Sequence, residues 1–141
     1  MPALHIYLNF QGNTEEAFNF YRSVFGGEFL QVQRFSDVPD SDNIPEHEKN
    51  KIMHIGFAIG STYIMGTDAL ESMGQKVVFG NNMYITITPD SKEDADRYYK
   101  ALSEGGEIEM ELQDTFWGAY YASFADKFGV RWMINYDYPK A

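Results

Sequence analysis

The sequence contains no cysteine, which removes disulfide staples, thiolate metal sites and a thiol nucleophile together. It has no run of about 18 apolar residues, so nothing in it reads as a membrane span. No basic-then-apolar leader resembles a secretion signal, and the default expectation is a cytoplasmic protein. Basic residues are scarce: 11 Lys and Arg stand against 21 Asp and Glu, for a net charge of −10, and they are scattered. Such a chain repels phosphate backbones, so nucleic acid is excluded as an expected partner, while a neutral or cationic small molecule suits the balance. A Ser/His/Asp signature and a phosphate-cradling glycine loop are missing as well.

What is present is apolar and aromatic. The 141 residues are 44% hydrophobic and 16% aromatic, enough to build a core as one domain or as two small halves. One stretch occurs twice. Glu15-Glu16-Ala17 leads through Phe20-Tyr21-Arg22 to Gly26-Gly27-Glu28. Glu93-Asp94-Ala95 leads through Tyr98-Tyr99-Lys100 to Gly105-Gly106-Glu107 in the same order. Acidic residues at the start and Gly-Gly at the end describe an amphipathic helix. A repeat of about half the chain length describes a duplicated module.

The rest is placed around those helices. Residues 5–10 alternate as a strand, with Ile6, Leu8 and Phe10 towards the helix and His5, Tyr7 and Asn9 away from it. Asn13 or Thr14 is the expected helix cap, and Ala17, Phe20, Tyr21 and Val24 form the expected buried stripe. A strand over 28–35 follows, then an acidic, proline-containing stretch over 36–50 that reads as a polar loop, too acidic for core. Strands over 51–59 and 62–67 join at Gly60-Ser61, placing Ile59 opposite Thr62, Gly56 opposite Met65 and His54 opposite Thr67. After a connector over 68–80, the order repeats: strand 82–88, helix 91–104, strand 107–112, then a hairpin of 117–126 and 130–136 across Lys127-Phe128-Gly129. The expected organisation is a single domain, 1–141, of two βαβββ modules at 1–69 and 80–141.

Strand faces carry the site reading. Aligned on the helices, the repeat matches His5 with Met83. Alternation instead matches His5 with Tyr84, Tyr7 with Thr86 and Asn9 with Thr88, and a one-residue slip would flip every side chain. On the last hairpin Arg131, Met133 and Asn135 share a face, with Tyr120, Ala122 and Phe124 expected opposite them. Arg131 there suits a carboxylate or phosphonate, or an acidic neighbour at the rim. Trp117 and Tyr120-Tyr121 are candidates for stacking on an aromatic ligand, with core the favoured place for Tyr121 and Trp132. Glu107, Glu109 and Glu111 alternate along one strand and read as a solvated edge.

The chain resembles the vicinal oxygen chelate superfamily of glyoxalase I, extradiol dioxygenases and bleomycin-resistance proteins. Within it the PhnB-like group, often labelled 3-demethylubiquinone methyltransferase-like, is the nearer match. The resemblance spans nearly the whole length. It is carried by Tyr7-Leu8-Asn9-Phe10 with Gly12-Asn13, Ala17-Phe18-Asn19-Phe20-Tyr21 with Phe25-Gly26-Gly27, and Met53-His54. Ile64-Met65-Gly66-Thr67-Asp68 and Asp126-Lys127-Phe128-Gly129-Val130-Arg131-Trp132-Met133-Ile134 complete it. The group commonly has proline where Lys127 stands, and no glycine motif for S-adenosylmethionine accompanies the label.

The resemblance implies an α+β fold in which two βαβββ modules form a curled mixed sheet around a cleft. It also implies a homodimer, and metal ligands on the first and last strands of each module. By position these fall on His5, Met65, Tyr84 and Met133, of which only His5 suits a hard or borderline divalent metal. The resulting expectation is a protein that binds a small organic molecule in the cleft without a full catalytic metal centre. Its ligand-binding residues would be His5, Tyr7, Asn9, His54, Met65, Tyr84, Thr86, Tyr120, Arg131 and Met133, with no resident cofactor. The alternative is a metal-dependent lyase or oxygenase of the glyoxalase type, its divalent metal held at a rearranged site of His5 and His54 with Asp68 or water.

Overall fold

Ile6, Leu8 and Phe10 turn to one side of a strand because side chains alternate, and that apolar side needs a helix to cover it. The computed structural model, which describes residues 2–39 and 41–140, supplies that helix twice, in two compact units, Met1–Val78 and Phe79–Ala141. The first contains β1 (Ile6–Phe10), α1 (Thr14–Phe25), β2 (Gln31–Arg34), β3 (Ile52–Ile59) and β4 (Thr62–Asp68). Its sheet runs β1-β4-β3-β2, with β1 parallel to β4 and the other neighbours antiparallel. Ile59 pairs with Thr62 and Gly56 with Met65, the hairpin register expected from Gly60-Ser61.

The helix stripe differs from expectation by one residue. Ala17, Phe18, Tyr21 and Val24 are buried, whereas Phe20 is half-buried. Phe18 meets Phe10, Tyr21 and Phe57 edge-on, with ring centroids 6.4, 5.7 and 6.2 Å away. The strand below makes room for it. A Cβ on Gly66 would stand 2.6 Å from Cε1 of Phe18, so only glycine lets α1 settle this close to β4. Ile52, Ile55, Phe57 and Ile64 complete the core beneath the helix, each burial worth about 1.5–3 kcal/mol.

The cap of α1 is also not local. The Asn13 side chain makes no capping bond. Asp68, at the end of β4, takes that role: Oδ1 accepts Thr14 N–H at 3.0 Å, the Thr14 hydroxyl at 2.6 Å and Gly12 N–H at 3.1 Å. Its Oδ2 accepts Ile52 N–H at 2.8 Å. The acidic stretch holds short 3-10 turns at Phe35–Asp37, Ser41–Asn43 and Glu46–Glu48, with Asp40 outside the described residues. One of its acids is core after all: Glu48 is buried, accepts the Ser72 hydroxyl, and is held below the usual carboxylate range chiefly by that bond.

The second unit contains β5 (Ile85–Ile87), α2 (Lys92–Ser103), β6 (Glu107–Asp114), β7 (Ala119–Ala125) and β8 (Arg131–Asp137), ordered β5-β8-β7-β6. Here β5 runs parallel to β8, and the other pairs are antiparallel. The Ser91 hydroxyl caps α2 locally, accepting Asp94 N–H at 3.1 Å. Ala95, Leu102, Ala122, Phe124, Trp132 and Ile134 form this unit's core. The fold is α+β, two four-stranded mixed sheets each with one helix. Among the described residues no helix is long and apolar enough to cross a membrane.

Candidate functional site

With α1 covering one face of the first sheet, the side chains that alternate away from it form an open face. Tyr7 and Asn9 of β1, His54 of β3, and Met65 and Thr67 of β4 lie on it, and His5 stands just before β1. Gly56 lies beside Met65, where a Cβ would come within 3.1 Å of the Met65 Cγ, so the missing side chain gives the thioether its place. Tyr7 Oη is 3.4 Å from His54 Nδ1, with ring centroids 5.7 Å apart. His5 is engaged elsewhere. Its Nδ1 accepts Tyr63 N–H at 3.0 Å, which leaves the ring proton on Nε2, and the two rings stand 4.8 Å apart.

The two histidines therefore do not meet. His5 is level with Tyr63, while His54 precedes Ile55, which pairs with Gly66, and so lies level with Thr67. Four residues along a strand separate their positions by about 13 Å, far beyond the span of one metal's ligands. Asp68 is buried and committed to the α1 cap, so the expected third ligand is lost too. Among the described residues no three His, Asp or Glu side chains gather as a metal cluster.

In the second unit, Thr86, Met133, Ser123 and Met110 form one cross-strand row of the open face. Tyr7 pairs with Met65 in β1–β4 as Thr86 pairs with Met133 in β5–β8, which is the match of Tyr7 with Thr86 that alternation requires. Arg131 pairs with Ala125, and Ala125 with Glu107, in the neighbouring row. Tyr84 precedes β5 and reaches the same end. A cavity of about 410 Å³ opens there, lined by Phe79, Gly80, Glu107, Lys127 and Arg131 among others.

One expected residue leaves this face. The connection Lys127-Phe128-Gly129 leaves Asp126 opposite Val130, whose carbonyl accepts Asp126 N–H at 2.8 Å. Counting back, Ala125, Ser123 and Tyr121 pair with Arg131, Met133 and Asn135, not Phe124, Ala122 and Tyr120. Tyr120 thus points towards α2, donating to Asp96 at 2.6 Å, with the Lys92 ammonium 4.9 Å from its ring centroid. The bond to Asp96, reinforced by burial, pushes the Tyr120 phenol up to about 12. Tyr121, expected in the core, is half-buried on the open face instead. Trp132 is buried as expected, its Nε1–H donating to Asp126 at 2.8 Å.

The residue whose partner the sequence does not name is Glu109, which there reads as part of a solvated edge. The pairing of β6 with β7 shifts between Ile108 and Met110, which leaves Glu109 without a cross-strand partner at a bulge, on the side of the strand that Glu107 shares. Its carboxylate accepts the Tyr84 hydroxyl at 2.7 and 2.9 Å and Arg131 Nη1–H at 2.8 Å. Arg131 is held from the other side, its Nε–H donating to the Gly80 carbonyl at 3.2 Å. The hydrogen bond to Glu109 pushes the Tyr84 phenol above its ordinary value, with desolvation adding to the shift. Nothing local in 107–112 signals a bulge. The hint in the sequence is an arginine on the open face of a strongly acidic chain.

The four positions at which the resemblance puts metal ligands hold an engaged imidazole, two thioethers and a phenol kept protonated by a carboxylate. That donor set does not fit a divalent zinc, iron, nickel or manganese ion.

The sequence matches the family model for the Glyoxalase/Bleomycin resistance protein/Dioxygenase superfamily over residues 4–134. Protein YjdN of Escherichia coli (strain K12) is 35% identical over 145 residues, covering 96% of this chain and 95% of that protein. The crystal structure of protein PA1353 from Pseudomonas aeruginosa is similar at a TM-score of 0.83 and 37% identity, over 96% of this chain and 98% of that one. A Bacillus cereus protein described as a putative 3-demethylubiquinone-9 3-methyltransferase, PhnB protein, shares the fold at a TM-score of 0.79 and 24% identity, over 96% and 99% of the two chains.

Proposed function

The chain belongs to the glyoxalase/bleomycin resistance protein/dioxygenase superfamily, and from that premise we propose that it binds a small aromatic organic molecule on its open sheet faces without a catalytic metal. The observation that carries this reading is the content of the ligand positions. Met65 and Met133 sit at the centre of the two faces, where a metal-using relative would need nitrogen or oxygen donors. Thioethers are soft, adaptable contacts for an aromatic ring, and Tyr7 and Tyr121 add flat apolar surface with a polar end. Polar groups on these faces are largely satisfied already, as in Tyr7 with His54 and Tyr84 with Glu109. An open depression beside Arg131, lined also by Phe79, Glu107 and Lys127, adjoins the second face. His5, Asn9, His54, Thr86 and Arg131 line the faces as orienting polar groups.

The assembly is proposed to be a homodimer, in keeping with the superfamily, and sedimentation tests it. Binding is tested by calorimetry against neutral and cationic aromatic compounds, with saturable heat at one or more expected. Metal analysis of protein purified without chelator is the second arm. A clean apo protein is expected, and a stoichiometric metal lost in His5→Ala would overturn the metal-free reading.

A further inference from the structure

We infer that Glu109 is the specificity-determining residue of this face, occupying Arg131 so that the site takes uncharged aromatic ligands and turns away carboxylates and other anions. The inference rests on the binding reading above and names the charge class of its ligand.

Arg131 is the side chain that an anionic ligand would seek, since a guanidinium fork matches a carboxylate edge. The fork is already partly in use. Nη1–H donates to Glu109 at 2.8 Å and Nε–H to the Gly80 carbonyl at 3.2 Å, so the arginine is held by a carboxylate of its own chain. Arg131 and Glu109 are both only partly exposed, 22% and 34% at the side chain, which keeps the pair less screened than a pair in open water.

An incoming carboxylate would have to displace Glu109 or share Arg131 with it. Either way two carboxylates stand beside one guanidinium, so a repulsion is added to whatever pairing is gained. The surroundings add no net positive charge to relieve that repulsion. Glu107 and Asp126 line the cavity along with Lys127, so its carboxylates outnumber the one further cation. An uncharged ligand meets none of this, because the pair is neutral as a unit and the Tyr84 hydroxyl is already turned onto Glu109. Glu109 shares its side of β6 with Glu107, whose strand partner Ala125 pairs in turn with Arg131, so the strand face itself brings the carboxylate towards the guanidinium.

The test uses benzamide and benzoate, flat probes of nearly equal shape that differ by one charge. Their affinities are measured by NMR titration of the full chain. In the native protein benzamide is expected to bind at least about tenfold more tightly than benzoate, in keeping with the cost of unpairing a charge. In Glu109→Gln that preference is expected to fall by about tenfold or reverse, with the Arg131 Nε–H signal moving on benzoate addition. Adding Arg131→Met to Glu109→Gln should abolish the gained benzoate binding, which ties the effect to the released guanidinium. Benzamide binding with no change of preference in Glu109→Gln would overturn the inference and leave the binding reading standing. Binding of neither probe, with native-like spectra, would overturn both.

Discussion

The Asp68 carboxylate accepts the Thr14 hydroxyl at 2.6 Å, so the last residue of β4 holds the first turn of α1. The same side chain takes backbone N–H groups from Gly12, Thr14 and Ile52, and it is buried. Replacing Asp68 with alanine leaves these donors without an acceptor in a dry site. The expected loss is about 3 kcal/mol of stability, read by urea denaturation of the whole chain. Asp68→Asn, which keeps one carbonyl oxygen, should lose less. Equal stability of Asp68→Ala and the native protein would show that the cap is not needed.

Tyr120 should titrate late. Its phenol is pushed up to about 12, first by its bond to Asp96 and then by burial. A group whose folded pKa is raised adds stability that is fully present below its unfolded value, near 10, and is lost as pH rises towards the folded one. The contribution of this pair is therefore expected to vanish between about pH 10 and 12. In Asp96→Asn the Tyr120 titration, followed by ultraviolet difference absorbance, should move down.

Tyr84 is raised for the same kind of reason, with Glu109 as the partner. Glu109→Gln should lower its titration towards that of an ordinary tyrosine, observable at the ring carbon beside the hydroxyl. The stability that the bond supplies is present below about pH 10 and lost above it. A Tyr84 titration indifferent to Glu109→Gln would show that the hydrogen bond does not persist in solution.

Adjacent glycines at the end of α2 should respond differently to alanine. Gly105 has a φ of +76°, which alanine tolerates at a cost of about 1 kcal/mol. Gly106 is limited by space, since a Cβ would stand 2.0 Å from the Ala125 carbonyl oxygen. Gly106→Ala should therefore cost about 3 kcal/mol, because backbone of β7 has to move. Thermal melts of the two variants decide it.

The alternating strands make much of the fold and of its open faces legible in the sequence itself. Tyr7, Met65, Thr86 and Met133 follow from periodicity and one tight turn, because a period of two leaves a single choice of face. Tyr120 escapes that logic. Setting even-numbered residues opposite Arg131 puts it on the open face, but the three-residue connection of the last hairpin sets odd against odd. Phe18 takes the place expected of Phe20 because Gly66 opens a space that no pattern within α1 records. The Glu109–Arg131 pair and the Asp68 cap are both long-range bonds, and neither leaves a local trace in the sequence.

The pairing of β1 with β4 also bears on how the chain is made. In the sheet order β1 neighbours β4 alone, and α1 takes its cap from Asp68, so residues 6–25 have no finished home until 62–68 have been synthesised. The same holds for β5, which waits for β8. A ribosome delivers these partners in order, at about 5–20 residues per second. The first sheet has all its strands before β8 exists, so β1 can meet its own partner before the similar last strand of the second module is made.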